Sequence, residues 1–209
     1  MIMLSDLFKE YELLAQGADR AFLEMKKEYG PSIRCEVSCS DCCSSVFGLF
    51  LIESAYINHH FAKLGRKLRR EAASRGERAD RDLQEVEKRL QAHDNDLRVK
   101  ALAMARERVR CPLLDSGGKC VLYAHRPVTC RAYGIPTVIS GKVHACWKAG
   151  FESGRQYPAF DLDAAYRELY GLSRKLLERC GHKNMERASL LVPVSRSIRT
   201  PLEEMVKQI

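Results

Sequence analysis

Nine cysteines punctuate a chain of 209 residues, and eight of them fall into two groups. Cys35, Cys39, Cys42 and Cys43 are packed with the spacing C-x3-C-x2-C-C, whereas Cys111, Cys120, Cys130 and Cys146 follow as single residues. Thiolates a few residues apart are soft donors that suit zinc or an iron–sulfur cluster. Cys35, Cys39 and Cys42 lie one turn apart if helical, and in a loop could wrap one ion equally well. The pair Cys42-Cys43 is different, because adjacent side chains are expected to diverge. Such a pair serves two metals, bridges a cluster, or leaves one member as an outer or resolving thiol. Eight candidate ligands suit two four-cysteine sites or one cluster with spare thiols. Cys180, on the apolar stripe of a helix, reads instead as a small buried hydrophobe.

The neighbours of the cysteines support loops that could hold a metal. Pro112 follows Cys111, and Asp115-Ser116-Gly117-Gly118 makes a turn just before Cys120. Arg126, Arg131 and Tyr133 could offset thiolate charge or bind an anion, but a hydrogen-bonded scaffold around Cys130 is the favoured reading. His59, His60 and His144 are potential ligands for which eight cysteines leave no vacancy. Trp147 reads as a packing residue beside Cys146.

Composition sets the class. The chain is 45% hydrophobic and 30% charged, as in a soluble globular protein. It contains no run of eighteen apolar residues, so no membrane-spanning helix is expected. Met1–Glu10 has neither a basic start nor a continuous apolar stretch, so it does not read as a secretory signal. A cytoplasmic location follows as the expectation, where thiols stay reduced and metal ligation outcompetes disulfides. The net charge of +8 permits an anionic partner. The basic stretch Lys63, Arg66, Lys67, Arg69, Arg70, Arg75, Arg78, Arg81 has no interleaved aromatics, however, and a solvated helix face is favoured over nucleic-acid binding.

Helices must position these groups. Leu4, Leu7, Phe8, Tyr11, Leu14, Ala18, Phe22 and Met25 recur at steps of three and four, predicting a first helix stopped by Gly30-Pro31. The run Val46–Ile52 leads into a second helix through Phe61 that shelters the metal side. From Lys63 to about Arg110 charge rises and proline is absent. Leu83, Val86, Leu90, Leu97, Ala101 and Met104 predict an antiparallel helical insertion, interrupted and capped near Asp94-Asn95-Asp96. Thr137–Ile139 and Lys142–His144 flank Ser140-Gly141 as a hairpin. Leu162, Ala165, Tyr166, Leu169, Leu172, Leu176 and Cys180 predict another helix, ended by Gly181. Thr200-Pro201-Leu202-Glu203 is a capping box, opening a last helix whose stripe is Leu202, Met205, Val206 and Ile209.

The order and combination of C-x3-C-x2-C-C at 35–43, Cys-Pro-Leu-Leu-Asp at 111–115, Cys120-x-x-Tyr123, Arg126-Pro127-x-x-Cys130-Arg131-x-Tyr133 and Cys146 resemble the YkgJ-type cysteine-cluster family of zinc- or iron-chelating domains. The resemblance covers roughly residues 30–150. It implies that Cys35, Cys39, Cys42, Cys43, Cys111, Cys120, Cys130 and Cys146 are the metal-associated residues. A related cysteine pattern occurs in flagellin lysine methylases, together with an iron–sulfur cluster and methyl transfer. This chain is too short for the additional region of those enzymes.

The expectation is therefore a mainly α protein with an irregular cysteine-rich metal-binding core and a small β-hairpin. It is a single domain over residues 1–209, with the core at 30–150, the charged insertion at 63–105 and a helical carboxy-terminal segment at 158–209. The expected function is metal binding, with an iron–sulfur cluster (a [4Fe–4S] form included) slightly ahead of zinc. The alternatives are a cluster-dependent enzyme of methyl or redox transfer, and a zinc-stabilised module that binds nucleic acid or a protein partner. No phosphate-binding loop or Ser/His/Asp arrangement singles out a reaction.

Overall fold

A computed structural model describes residues 4–36, 39–91 and 96–208. Eight α-helices and three short strands are set among the described residues, and the fold is mainly α. Helix α1 (Ser5–Tyr29) follows the predicted period and buries Leu7, Tyr11, Ala15, Ala18 and Met25. A turn of 3-10 helix at Gly30–Ser32 ends it, as the Gly-Pro step predicts. Helix α2 (Leu51–Ala62) is buried along most of its length, and α6 (Leu162–Arg179) turns Leu162, Ala165, Leu169, Leu172 and Leu176 inward. These three helices form the main core, joined by Val128, Val192, Met205 and Val206. Burial of each such leucine is worth about 2 kcal/mol, so this core supplies most of the cohesion. Gly181, at φ +70°, follows α6 in the left-handed conformation that glycine adopts without strain.

The charged insertion is two helices, α3 (Arg66–Gln91) and α4 (Leu97–Arg106). The Asp96 carboxylate caps α4 by accepting the Val99 N–H at 3.1 Å, while Asp94 and Asn95 lie outside the described residues. Val86 and Leu90 of α3 pack with Val109 and Met104. The principal partner of α3, however, is the short helix α7 (Val194–Arg199) near the end of the chain. Gly76 permits that contact: a Cβ there would come within 3.1 Å of Arg199 Cδ. An Arg199–Asp80 ion pair at 2.8 Å spans the same contact. The insertion is thus seated on the carboxy-terminal segment. Arg66, Lys67, Arg69, Arg70, Arg78 and Arg81 face solvent, as a solvated helix face requires. Arg75 turns inward, and its Nε donates to Pro112 O at 2.8 Å.

The predicted hairpin is present as antiparallel strands β1 (Thr137–Ile139) and β2 (Lys142–His144). Ser140 and Gly141 both have positive φ, the geometry of a tight two-residue hairpin turn. The Asp163 carboxylate secures it by accepting both N–H groups at 2.9 Å. A third strand, β3 (Phe160–Asp161), adds in parallel to β1. At two residues it is too short to leave a period-two signal. The last helix, α8 (Leu202–Gln208), buries Met205 and Val206, and Ile209 lies outside the described residues. Among the described residues, no helix is long and apolar enough to cross a membrane.

Candidate metal centre

Backbone pairing brings the two cysteine-bearing halves together. The Cys111 N–H donates to Cys43 O at 2.6 Å and the Val109 N–H to Ser44 O at 3.0 Å. Cys111 and Cys120 stand at the two ends of a closed loop, pinned by a bridge between Leu114 and Cys120. Its turn is fixed by the Lys119 N–H donating to Asp115 Oδ1 at 2.8 Å and by Gly118 at φ +75°. Cys130 sits in the middle of α5 (Val128–Ala132). The fully buried Glu53 tethers this helix: Oε1 accepts the Val128 N–H at 3.0 Å, and Oε2 accepts the Phe50 N–H at 3.3 Å. Burial pushes the Glu53 carboxyl up to about 7, against the pull of these two N–H groups.

Cys42, Cys43, Cys111, Cys120 and Cys130 line one chamber of about 30 Å³. Phe47, Ile57, Leu113, Leu122 and Val194 enclose it, with His125 and Arg126 as its polar wall. The adjacent pair does not diverge, contrary to expectation. A single turn of 3-10 helix at Cys42–Ser44 turns both side chains to the same chamber, with their sulfurs 4.0 Å apart. Two ligands of a tetrahedral zinc ion with 2.3 Å bonds would stand about 3.8 Å apart. The adjacency is therefore compatible with a shared ion as well as with a cluster.

The protons in this chamber are unevenly held. S–H donation from Cys130 and Cys43, aided by the Arg126 charge, holds the Cys42 thiol down to about 3. Cys43 and Cys130 move well up, because each donates to Cys42 and is enclosed. Burial raises Cys111 to about 12 and raises Cys120, although N–H groups of Leu113 and Leu114 point at the first sulfur and that of Leu122 at the second. Enclosed thiols that share protons in this way would release them to a bound cation.

Cys35, Cys39 and Cys146 line a second, smaller space of about 10 Å³ beside Tyr133, Gly134 and Lys148. Its surroundings are polar. Asp41 Oδ2 accepts the Tyr133 hydroxyl at 2.8 Å and faces the Cys146 sulfur at 4.0 Å, while Lys148 Nζ lies 3.3 Å from Oδ1. Burial opposes ionisation of Asp41, but the Tyr133 hydroxyl and the Lys148 ammonium outweigh it and keep the carboxyl below its usual range. Burial pushes Cys35 up to about 11. Gly134, at φ +104°, is required here, because a Cβ would come within 2.6 Å of Cys35 Cβ.

The structure therefore regroups the eight sequence-predicted cysteines. The two sequence groups of four become five and three, drawn from both halves. Among the described residues, no three His, Cys, Asp or Glu side chains converge closely enough to hold an ion. The donor chemistry nevertheless fits a thiophilic metal: five thiols line the first chamber, two receive backbone N–H groups, and apart from His125 and Arg126 the wall is apolar. Cys180 caps the end of α6 and packs against the main core, but it is half-buried rather than the buried hydrophobe its stripe predicts.

Arg131 and Tyr133 are scaffold. Arg131 donates to the Arg126 and Ala124 carbonyls and pairs with Asp19, while Tyr133 holds Asp41. Arg126 lies over the Tyr123 ring at 3.7 Å and adds positive charge to the first chamber. Trp147 corrects the sequence reading: it is 72% exposed and packs on no core. His144 is exposed on β2. His125, which sequence reasoning missed, lines the first chamber and stacks on His60 with ring centroids 3.6 Å apart. The Tyr56 hydroxyl donates to Glu12 Oε1 at 2.9 Å and lies 3.2 Å from His125 Nδ1. Having spent its one hydrogen, it accepts from Nδ1–H, which leaves the Nε2 lone pair available. No sequence spacing points to His125. Asp41, by contrast, lies within the first cysteine motif.

A family model described as "Putative zinc- or iron-chelating domain" (CxxCxxCC) matches residues 34–146, more than half of the chain. The chain belongs to that family. The matched region begins beside Cys35 and ends at Cys146, so it spans both chambers and takes in α3 and α4 between them. Chelation of zinc or iron is accordingly the coarse function that the family carries. Searches of curated proteins and of solved structures returned no match.

Proposed function

We propose that the five-thiol chamber is the principal metal centre, with Cys42, Cys43, Cys111, Cys120 and Cys130 as its ligand pool. Cys35, Cys39 and Cys146, with Asp41, form a subsidiary site. The observation that carries this reading is that thiols from three separate stretches line one mostly apolar chamber. A division into five and three does not make two equivalent closed four-cysteine zinc sites. The surplus thiol in the first chamber favours an iron–sulfur cluster over zinc. A cluster supplies electron-transfer chemistry, whereas zinc closed by four thiolates is a structural staple. Free thiols in this number suit a reducing compartment such as the cytoplasm.

The test is protein purified without oxygen, assayed for iron, zinc and acid-labile sulfide per chain, together with a visible spectrum. Near-stoichiometric iron and sulfide with a broad band lost on reduction is the expected result. Colourless protein holding zinc would overturn the cluster and leave a thiol-stapled scaffold.

A further inference from the structure

Next to the metal chamber lies a larger cavity that metal chelation does not use. Its volume is about 470 Å³, within the range of roughly 300–1,000 Å³ typical of small-molecule sites. Its walls come from the stretch that leads out of Cys43, the stretch that leads into Cys111, helix α3 and the approach to α7. Phe47, Phe50, Leu83, Val109 and Tyr166 make the lining mostly apolar. Cys111 lines both the cavity and the thiol chamber, so the two share a wall.

Two features give the cavity a chemical preference. Ser195 lines it, is 1% exposed, and its hydroxyl is buried without a hydrogen-bond partner. An orphaned buried hydroxyl costs roughly 1–3 kcal/mol and marks a polar point in an otherwise apolar wall. Arg110 is the sole charged side chain among the described lining residues, and it is exposed at the mouth. It donates to the Asp115 carbonyl at 2.9 Å, which leaves further guanidinium N–H groups for a ligand. Among the described lining residues there is no carboxylate to attract a cation.

We propose that this cavity binds a small amphipathic organic acid, its apolar body among Phe47, Phe50 and Leu83 and its acidic end at Arg110. This site shares Cys111 as a wall with the proposed metal ligands but does not depend on which metal they hold. Bound there, the acid would lie against the Cys111 wall.

Dodecanoate is the probe, titrated calorimetrically into the protein as purified, with the neutral dye Nile red as a fluorescent reporter of the apolar part. One dodecanoate per chain, displacing Nile red, is expected. Ala79→Phe, which fills the cavity from α3, should abolish both signals. Arg110→Gln, at an exposed position, should weaken dodecanoate about tenfold, the scale of one charge-assisted hydrogen bond, and leave Nile red unchanged. Circular dichroism of each variant should match the parent. If Ala79→Phe does not fold, Arg110→Gln decides alone. Absence of binding, binding unaffected by both variants, or equal affinity for dodecyltrimethylammonium would overturn the proposal.

Discussion

The two thiol-lined spaces differ in how they treat charge. The first surrounds five sulfurs with aliphatic and aromatic side chains and admits a positive group, Arg126, at its wall. The second surrounds three sulfurs with Asp41, Tyr133 and Lys148, a polar set already satisfied internally. A cation entering the first gains ligands with little competition from water. One entering the second must compete with the Lys148 ammonium for Asp41. The same residue type, supplied by one motif, is thus placed in two electrostatic settings, and in the proposed reading it is the setting rather than the spacing that ranks the sites.

The largest expected effect is on the first space. Cys111→Ser or Cys130→Ser should remove its metal and lower affinity by more than the roughly 100-fold that loss of an outer partner costs, read as metal per chain after dialysis. Cys39→Ser or Cys146→Ser should lower only the subsidiary occupancy. Equal losses from both pairs would erase the ranking and argue for one centre shared by all eight sulfurs. Asp41→Asn should come next, about tenfold in the affinity of the second space and none in the first.

Glu53 distinguishes the two spaces through pH. Its folded value near 7 lies above the ordinary 4.5, so the folded state holds a proton that the unfolded state releases between these values. Its contribution to stability is therefore complete below about pH 4.5 and is lost as pH rises through about 7, by at most about 3 kcal/mol. Glu53→Gln should remove that slope, measured as denaturant midpoints of parent and variant from pH 4.5 to 8. Because Glu53 holds the helix of Cys130, the variant should also disturb the first space and spare the second. The smallest effect is expected from Arg69→Glu with Arg70→Glu, which face solvent on α3 and should leave metal content unchanged. Salt-dependent RNA or DNA binding lost in that variant would instead revive the nucleic-acid reading.

Most of the architecture was legible in the sequence, because helices write their buried face into steps of three and four. The stripes of α1 and α6 are buried where the period puts them, and the hairpin falls at its Ser140-Gly141 turn. The eight cysteines were legible as a set but not as a partition. Which sulfur faces which depends on the pairing of Cys111 with Cys43 and on a turn at Cys42 that spacing does not encode. His125 was missed for the same reason, since its stacking on His60 joins residues 65 positions apart. Trp147 was misjudged because size and apolarity suggest burial, yet a tryptophan on an irregular surface loop has no core to enter. The seating of α3 on α7 left only a lone glycine, Gly76, within a charged helix.

That seating has a consequence in time. Val194, at the start of α7, lines the chamber whose first sulfurs belong to Cys42 and Cys43. At ribosomal rates of about 5–20 residues per second, the wall residue is made roughly 8–30 seconds after those thiols. Until it arrives, the nascent chain carries its sulfurs without their last apolar cover, open to whichever metal or oxidant reaches them first. Fidelity of loading is then a race between delivery of the right metal and completion of the chain.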